Sequence, residues 1–150
     1  MSIKHRILKH LSHGLDATRE AFDPETGRFL ADNGGWAVTR QDVIFPLALL
    51  CVEPDSPHEG EPQITEMALR GGDALREWQD EDGRFEFIKT DGSRWGSTYM
   101  PWSIYHWLEA WALLRDRMDS DRAEEWERGL TLALDGVARE REEPVCHNIP

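Results

Sequence analysis

The chain is poor in cysteine, in positive charge and in long apolar runs, and each shortage excludes a class of protein. Its 150 residues include two cysteines, Cys51 and Cys146, too few and too far apart for a disulfide framework or a Cys-x-x-Cys metal knuckle. Reduced, cytoplasmic usage is the simpler expectation, with a periplasmic or secreted protein as the variant if a leader is missing. Lys and Arg number 17 against 29 Asp and Glu, a net charge of −12, which argues against a general nucleic-acid or anionic-membrane surface. No stretch approaches the roughly 18 apolar residues of a membrane span. The N-terminal segment MSIKHRILKHLSHGLDATREAF is interrupted by Lys4, Lys9, His10 and His13 and lacks a signal-peptide core. The phosphate-cradling P-loop, GxGxxG, GxSxG and HExxH are all absent, so no nucleotide, metal or other cofactor is expected.

What is present is an ordered, helical pattern. Hydrophobic residues make up 39% of the chain and there are 7 Trp, enough for one domain with a single core. Residues 3 to 22 place Ile3, Ile7, Leu11, Leu15 and Phe22 at helical spacing, with Lys4, Arg6, Lys9, Asp16 and Glu20 off that stripe. Residues 40 to 52, from Val43 to Cys51, are apolar on every side, as a buried helix would be. Pro46 is tolerated there if it falls near the helix start. After the breaker run Glu53 to Pro62, residues 63 to 79 are one-sided again, with Gly71 and Gly72 suiting a close helix approach. Residues 98 to 115 are apolar nearly all round, and 121 to 141 return to one-sidedness. The expected class is all-α, built of antiparallel hairpins of about 1–53, 63–116 and 120–150 that alternate outer amphipathic and inner apolar helices. Arg84 to Lys89 is the one segment that suits a short hairpin arm.

An internal repeat supports this reading. Asp23-Pro24-Glu25-Thr26-Gly27-Arg28-Phe29, followed by Gly35-Trp36, matches Asp80-Glu81-Asp82-Gly83-Arg84-Phe85, followed by Gly92 and Trp95. Each copy follows a one-sided helix and precedes an apolar one. This alternation, with its Gln79-Asp80-Glu81-Asp82-Gly83-Arg84-Phe85 turn, resembles the (α/α) toroid superfamily: polysaccharide lyases of the heparinase and alginate-lyase group, six-hairpin glycosidases and, more distantly, terpenoid cyclases. The resemblance implies a partial toroid, an N-terminal portion of a ring that usually has five to seven hairpins.

The loops before inner helices then share one end of the bundle: Asp32-Asn33-Gly34-Gly35-Trp36, Lys89 to Trp95, and Cys146-His147-Asn148. Indole faces stack on sugars, and amides and carboxylates take hydroxyls in fixed directions, so an oligo- or polysaccharide is the expected partner. In the lyases resembled, Asn, His or Arg neutralises a uronate carboxylate while Tyr or His moves the C5 proton. By residue type this implies Asn148 and Arg94 as neutralisers and Tyr99, His106 or His147 as acid/base. Trp36, Trp95, Asp32, Asn33, Asp91 and Tyr105 would bind substrate, and Tyr105 is a further acid/base candidate. The six-hairpin hydrolase alternative uses Asp32 or Asp91 as acid/base, and a non-catalytic helical interaction protein is a third reading. Plainer roles compete throughout: a hydrogen-bonded core position for His106, core packing for Trp107 and Trp111, structural plugs for Trp36 and Trp95, and ion pairs in the turns for Arg28 and Arg84. His5, His10 and His13 do not share one helical face, which makes them surface residues rather than a metal cluster.

Overall fold

A computed structural model describes residues 2–30, 38–88 and 91–140. Helix α1 (Ile3–His13) starts at Ser2, whose hydroxyl accepts the His5 amide. It stops at Gly14, where α2 (Leu15–Ala21) begins. The single helix expected over 3–22 is thus broken, because Gly14, a weak helix former, turns its amide back onto the Leu11 and Ser12 carbonyls. The first inner segment opens as a 3₁₀ turn (Val38–Val43) and continues as α3 (Ile44–Val52). Pro46 falls in the first turn of α3, where its missing donor would have no helical partner. Helices α4 (Pro62–Trp78) and α5 (Pro101–Leu114) both start on proline, and α6 (Ser120–Glu140) follows.

The mainly helical class holds, and two small antiparallel ladders add to it. Strands β1 (Phe22–Asp23) and β2 (Arg28–Phe29) pair Phe22 with Phe29. The turn between them closes on Asp23, whose carboxylate accepts the Glu25 amide and the Thr26 hydroxyl. Those bonds, Thr26's first, hold the Asp23 carboxyl below its ordinary value. Strands β3 (Phe85–Ile88) and β4 (Arg94–Thr98) form the second hairpin, irregular between Glu86 and Ile88. Its first arm is the one the sequence suggested.

The two apolar helices α3 and α5 pack on each other, and the amphipathic α4 and α6 pack on them, α4 on α3 and α6 on α5, and touch one another. The apolar pair carries Ile44, Leu47, Ala48, Cys51, Ile104, Trp107, Ala110 and Leu114 into the core, each at most 2% exposed. Glycines bring the amphipathic helices close. A Cβ on Gly72 would lie 2.0 Å from the Trp126 ring, and one on Gly136 2.0 Å from the Tyr99 ring.

The two repeat turns are clamped in matching ways. Gly27, at φ +69°, lies against the Arg70 carbonyl, and Gly83, at φ +88°, against Leu132 and Ala133. Buried Gln41 accepts the Phe29 amide at 2.9 Å and donates to the carbonyls of Gly27 (3.0 Å) and Gly71 (2.9 Å). Buried Gln79 donates to Gly83 (3.3 Å) and Gly129 (2.8 Å). Each turn is therefore fastened by a glutamine amide to a glycine carbonyl of the next amphipathic helix. Gln41 follows its turn and Gln79 precedes its own, so the same bond is reached from opposite directions along the chain.

Candidate functional site

The 3₁₀ turn touches both β3 and α5, which gathers polar and aromatic groups at the N-terminal ends of the two apolar helices. His106, on α5, is half-buried. Its Nδ1 lies 2.7 Å from the Trp102 carbonyl and 3.8 Å from Asp42 Oδ2. A carbonyl can only accept, so the neutral imidazole carries its proton on Nδ1 and leaves the Nε2 lone pair free. Asp42 shares the Nδ1 side, in the position of an orienting carboxylate. Burial holds the Asp42 carboxyl above its ordinary value of 3.8, an effect partly offset by the Ser103 hydroxyl and by His106. Ser103 stands beside the carboxylate without hydrogen-bond geometry, for Ser103 Oγ and Asp42 Oδ1 are both buried with no partner among the described residues. Two buried polar atoms with unmet hydrogen-bonding capacity therefore accompany the Asp42 and His106 pair.

Aromatic rings surround this pair. Tyr105 and Trp102 are 51% and 45% exposed, among the few large apolar side chains left open. Phe45 meets Tyr105 edge-on at 6.2 Å and His106 at 6.1 Å. Phe87 of β3 rests 6.3 Å from Trp102, which ties the hairpin to the head of α5. The arrangement offers an apolar, hydrogen-bonding platform with one free imidazole nitrogen at its centre.

Of the residues expected here, His106 and Tyr105 are brought together. Arg94 sits on β4 of the adjoining hairpin, exposed and paired with Glu86 at 2.7 Å. Asp91 lies exposed at the hairpin tip, where it accepts the Ser93 amide. Tyr99 departs from its expected role: it is 6% exposed, packs on Gly136, and its hydroxyl donates to the Asp82 carbonyl in the second turn. That burial makes it a fastening of the turn and leaves no access for proton transfer. Asp32, Asn33, Trp36, His147 and Asn148 lie outside the described residues, as does the Trp95 side chain. Of the two turn arginines expected as ion-pair donors, Arg84 is one: it pairs with Glu140 at 3.9 Å and also lies 5.2 Å above the Tyr99 ring. Arg28 instead stacks 4.3 Å above the Trp78 ring.

Sequence reasoning missed Asp42 and Ser103. Thr39-Arg40-Gln41-Asp42 reads as a polar loop leading into α3, and Ser103 as a neutral interruption of an apolar helix. The available signal was a polar residue set inside apolar surroundings, the case in which burial demands a partner.

Among the described residues, no group of three or more His, Cys, Asp or Glu side chains is arranged to hold a metal ion. No helix among them is long and apolar enough to cross a membrane. No protein-family model, curated protein or solved structure matches this chain.

Proposed function

We propose that the chain is a carbohydrate-active enzyme, or the N-terminal portion of one, built as part of an (α/α) toroid and acting by β-elimination on a uronate-containing glycan. One observation carries the reading: the His106 and Asp42 pair, with Nε2 left free, stands among the exposed rings of Trp102 and Tyr105. Sugar C–H faces stack on such rings. Nε2 then takes the C5 proton of a uronate, the C4–O4 bond breaks as the C4–C5 double bond forms, and the imidazolium returns a proton to O4. Arg94 on the adjoining hairpin would neutralise the substrate carboxylate, exchanging Glu86 for it.

The test is release of the unsaturated-uronate absorbance from a panel of uronic polysaccharides, with His106→Ala inactive and Trp102→Ala raised mainly in KM. Absence of release across the panel overturns the reading. A second reading, glycoside hydrolysis, is favoured by the raised Asp42 carboxyl, which suits a general acid. It predicts new reducing ends without the chromophore and their loss in Asp42→Asn.

A further inference from the structure

Helix α1 runs against the acidic balance of the chain, 17 Lys and Arg against 29 Asp and Glu. It carries Lys4, His5, Arg6, Lys9, His10 and His13 and no carboxylate. Cationic side chains in its first turn face the positive end of the helix dipole, where acids are favoured. Lys4 is accounted for, since it is paired with Glu53 and with Asp55 at 2.7 Å, and His5 also faces the Asp55 carboxylate. Arg6, Lys9, His10 and His13 have no ion-pair partner among the described residues. His5, Lys9 and His13 follow one another at four-residue steps, which puts them on one side of the helix about 6 Å apart. All three line a cleft of about 420 Å³ between α1 and the Pro54–Pro57 loop. That volume lies within the range of small-ligand sites, roughly 300–1,000 Å³.

Both walls of the cleft are fixed. Leu8, 3% exposed, lies among its lining residues. The loop opposite is held by Pro54 and Pro57, by backbone bonds from Ser56 to Glu53 and from Glu59 to Ser56, and by the Lys4 ion pairs. Asp55 is the one acid in the lining, and Lys4 already engages it, holding its carboxyl below the ordinary value. Lys9 has no ion-pair partner among the described residues. His5 and His13 are eight positions apart, about 12 Å along the helix, too far to share a metal ion. The cleft adjoins the loop that follows α3, whereas the His106 site lies at the head of that helix, 9 residues or about 13 Å away.

From these observations we infer that the cleft binds a small organic anion, a carboxylate- or phosphate-bearing molecule. Lys9 meets its charge, His5 and His13 donate to its oxygens, and Leu8, Pro54 and Pro57 cover an apolar or sugar-like body. This site is separate from the reaction proposed at His106 and does not depend on it. The experiment titrates isotope-labelled protein with inorganic phosphate, with glucuronate and, as controls, with glucose and sodium chloride of matched ionic strength, following amide and imidazole resonances.

The expected result is saturable shifts in α1 and residues 54–57 with at least one of the two anions, any shifts around His106 reporting the other site; the tighter of the two identifies the anionic group. Lys9→Gln should weaken binding about tenfold or more and Lys9→Arg should retain it. Both are exposed-site substitutions that leave the fold intact. Shifts matched by sodium chloride, no saturable shift with either anion, or unchanged binding in Lys9→Gln would each overturn the inference.

Discussion

Replacing Gln41 by methionine keeps the volume of a fully buried side chain and removes only its amide. Three bonds are lost. The Phe29 amide loses its acceptor altogether, because it points away from β1, and the Gly27 and Gly71 carbonyls each lose a donor. An orphaned buried donor costs about 1–3 kcal/mol, and carbonyls that keep other acceptance cost less, so the sum is about 3 kcal/mol. Gln79→Met removes two donated bonds, one of them long at 3.3 Å, together with the 3.4 Å bond its Oε1 accepts from Arg76, and leaves no backbone amide without an acceptor. Its cost should be about 1–2 kcal/mol. Urea unfolding followed by tryptophan fluorescence measures both. For a chain of this size Gln41→Met should lower Tm by about 6–12 °C, and the two costs should add to within about 0.5 kcal/mol because the clamps are separate. A Gln41→Met cost under about 1 kcal/mol, or one no larger than that of Gln79→Met, would refute the clamp account.

Asp42 yields a prediction with the opposite sign. Burial raises its folded carboxyl above 3.8, so the folded state holds this proton longer than the unfolded one. The charge therefore costs stability progressively as pH rises from the unfolded value through the folded one. Asp42→Asn should be more stable than the parent at pH 7, lose that advantage below pH 3.8, and be catalytically impaired; lower stability at pH 7 would mean the carboxylate has a strong partner. Gly72→Ala places a methyl against the rigid Trp126 ring. Overpacking of up to ~3 kcal/mol, less ~1 kcal/mol of helix propensity, leaves a net loss of about 2 kcal/mol, visible as a shifted urea midpoint. Tyr105→Ala should leave that midpoint within about 0.5 kcal/mol of the parent, as suits an exposed ring, while weakening glycan binding measured by calorimetry.

The helices were legible because burial writes a 3.6-residue period into sequence. The amphipathic segments and the wholly apolar ones came through as helices, although the starts at Pro62 and Pro101 did not, and the Gly-Arg-Phe repeat marked two turns that are clamped alike. The break at Gly14 was not legible, since an isolated glycine inside a periodic stripe reads equally as a tolerated interior residue. The β1–β2 ladder is two residues long on each side, too short to show alternation. At the site, His106 stood out as the one imidazole in an aromatic helix. Its proton placement depends on a carbonyl one turn back, and its partner Asp42 comes from a different hairpin, so both required coordinates. Gln41 was hidden for the same reason: its importance lies in backbone groups 12, 14 and 30 residues away.

The clamps have a consequence for how the chain is made. Gln79 is fastened to a carbonyl 50 residues further on, which emerges about 3–10 s later at ordinary synthesis speeds of roughly 5–20 residues per second. The first turn waits on Gly71 in the same way. During that interval Phe29 or Phe85, each at most 4% exposed once folded, has no amphipathic helix to cover it. Hairpins therefore close one step behind the ribosome, each completed by its successor, and the growing end always presents one uncovered aromatic turn.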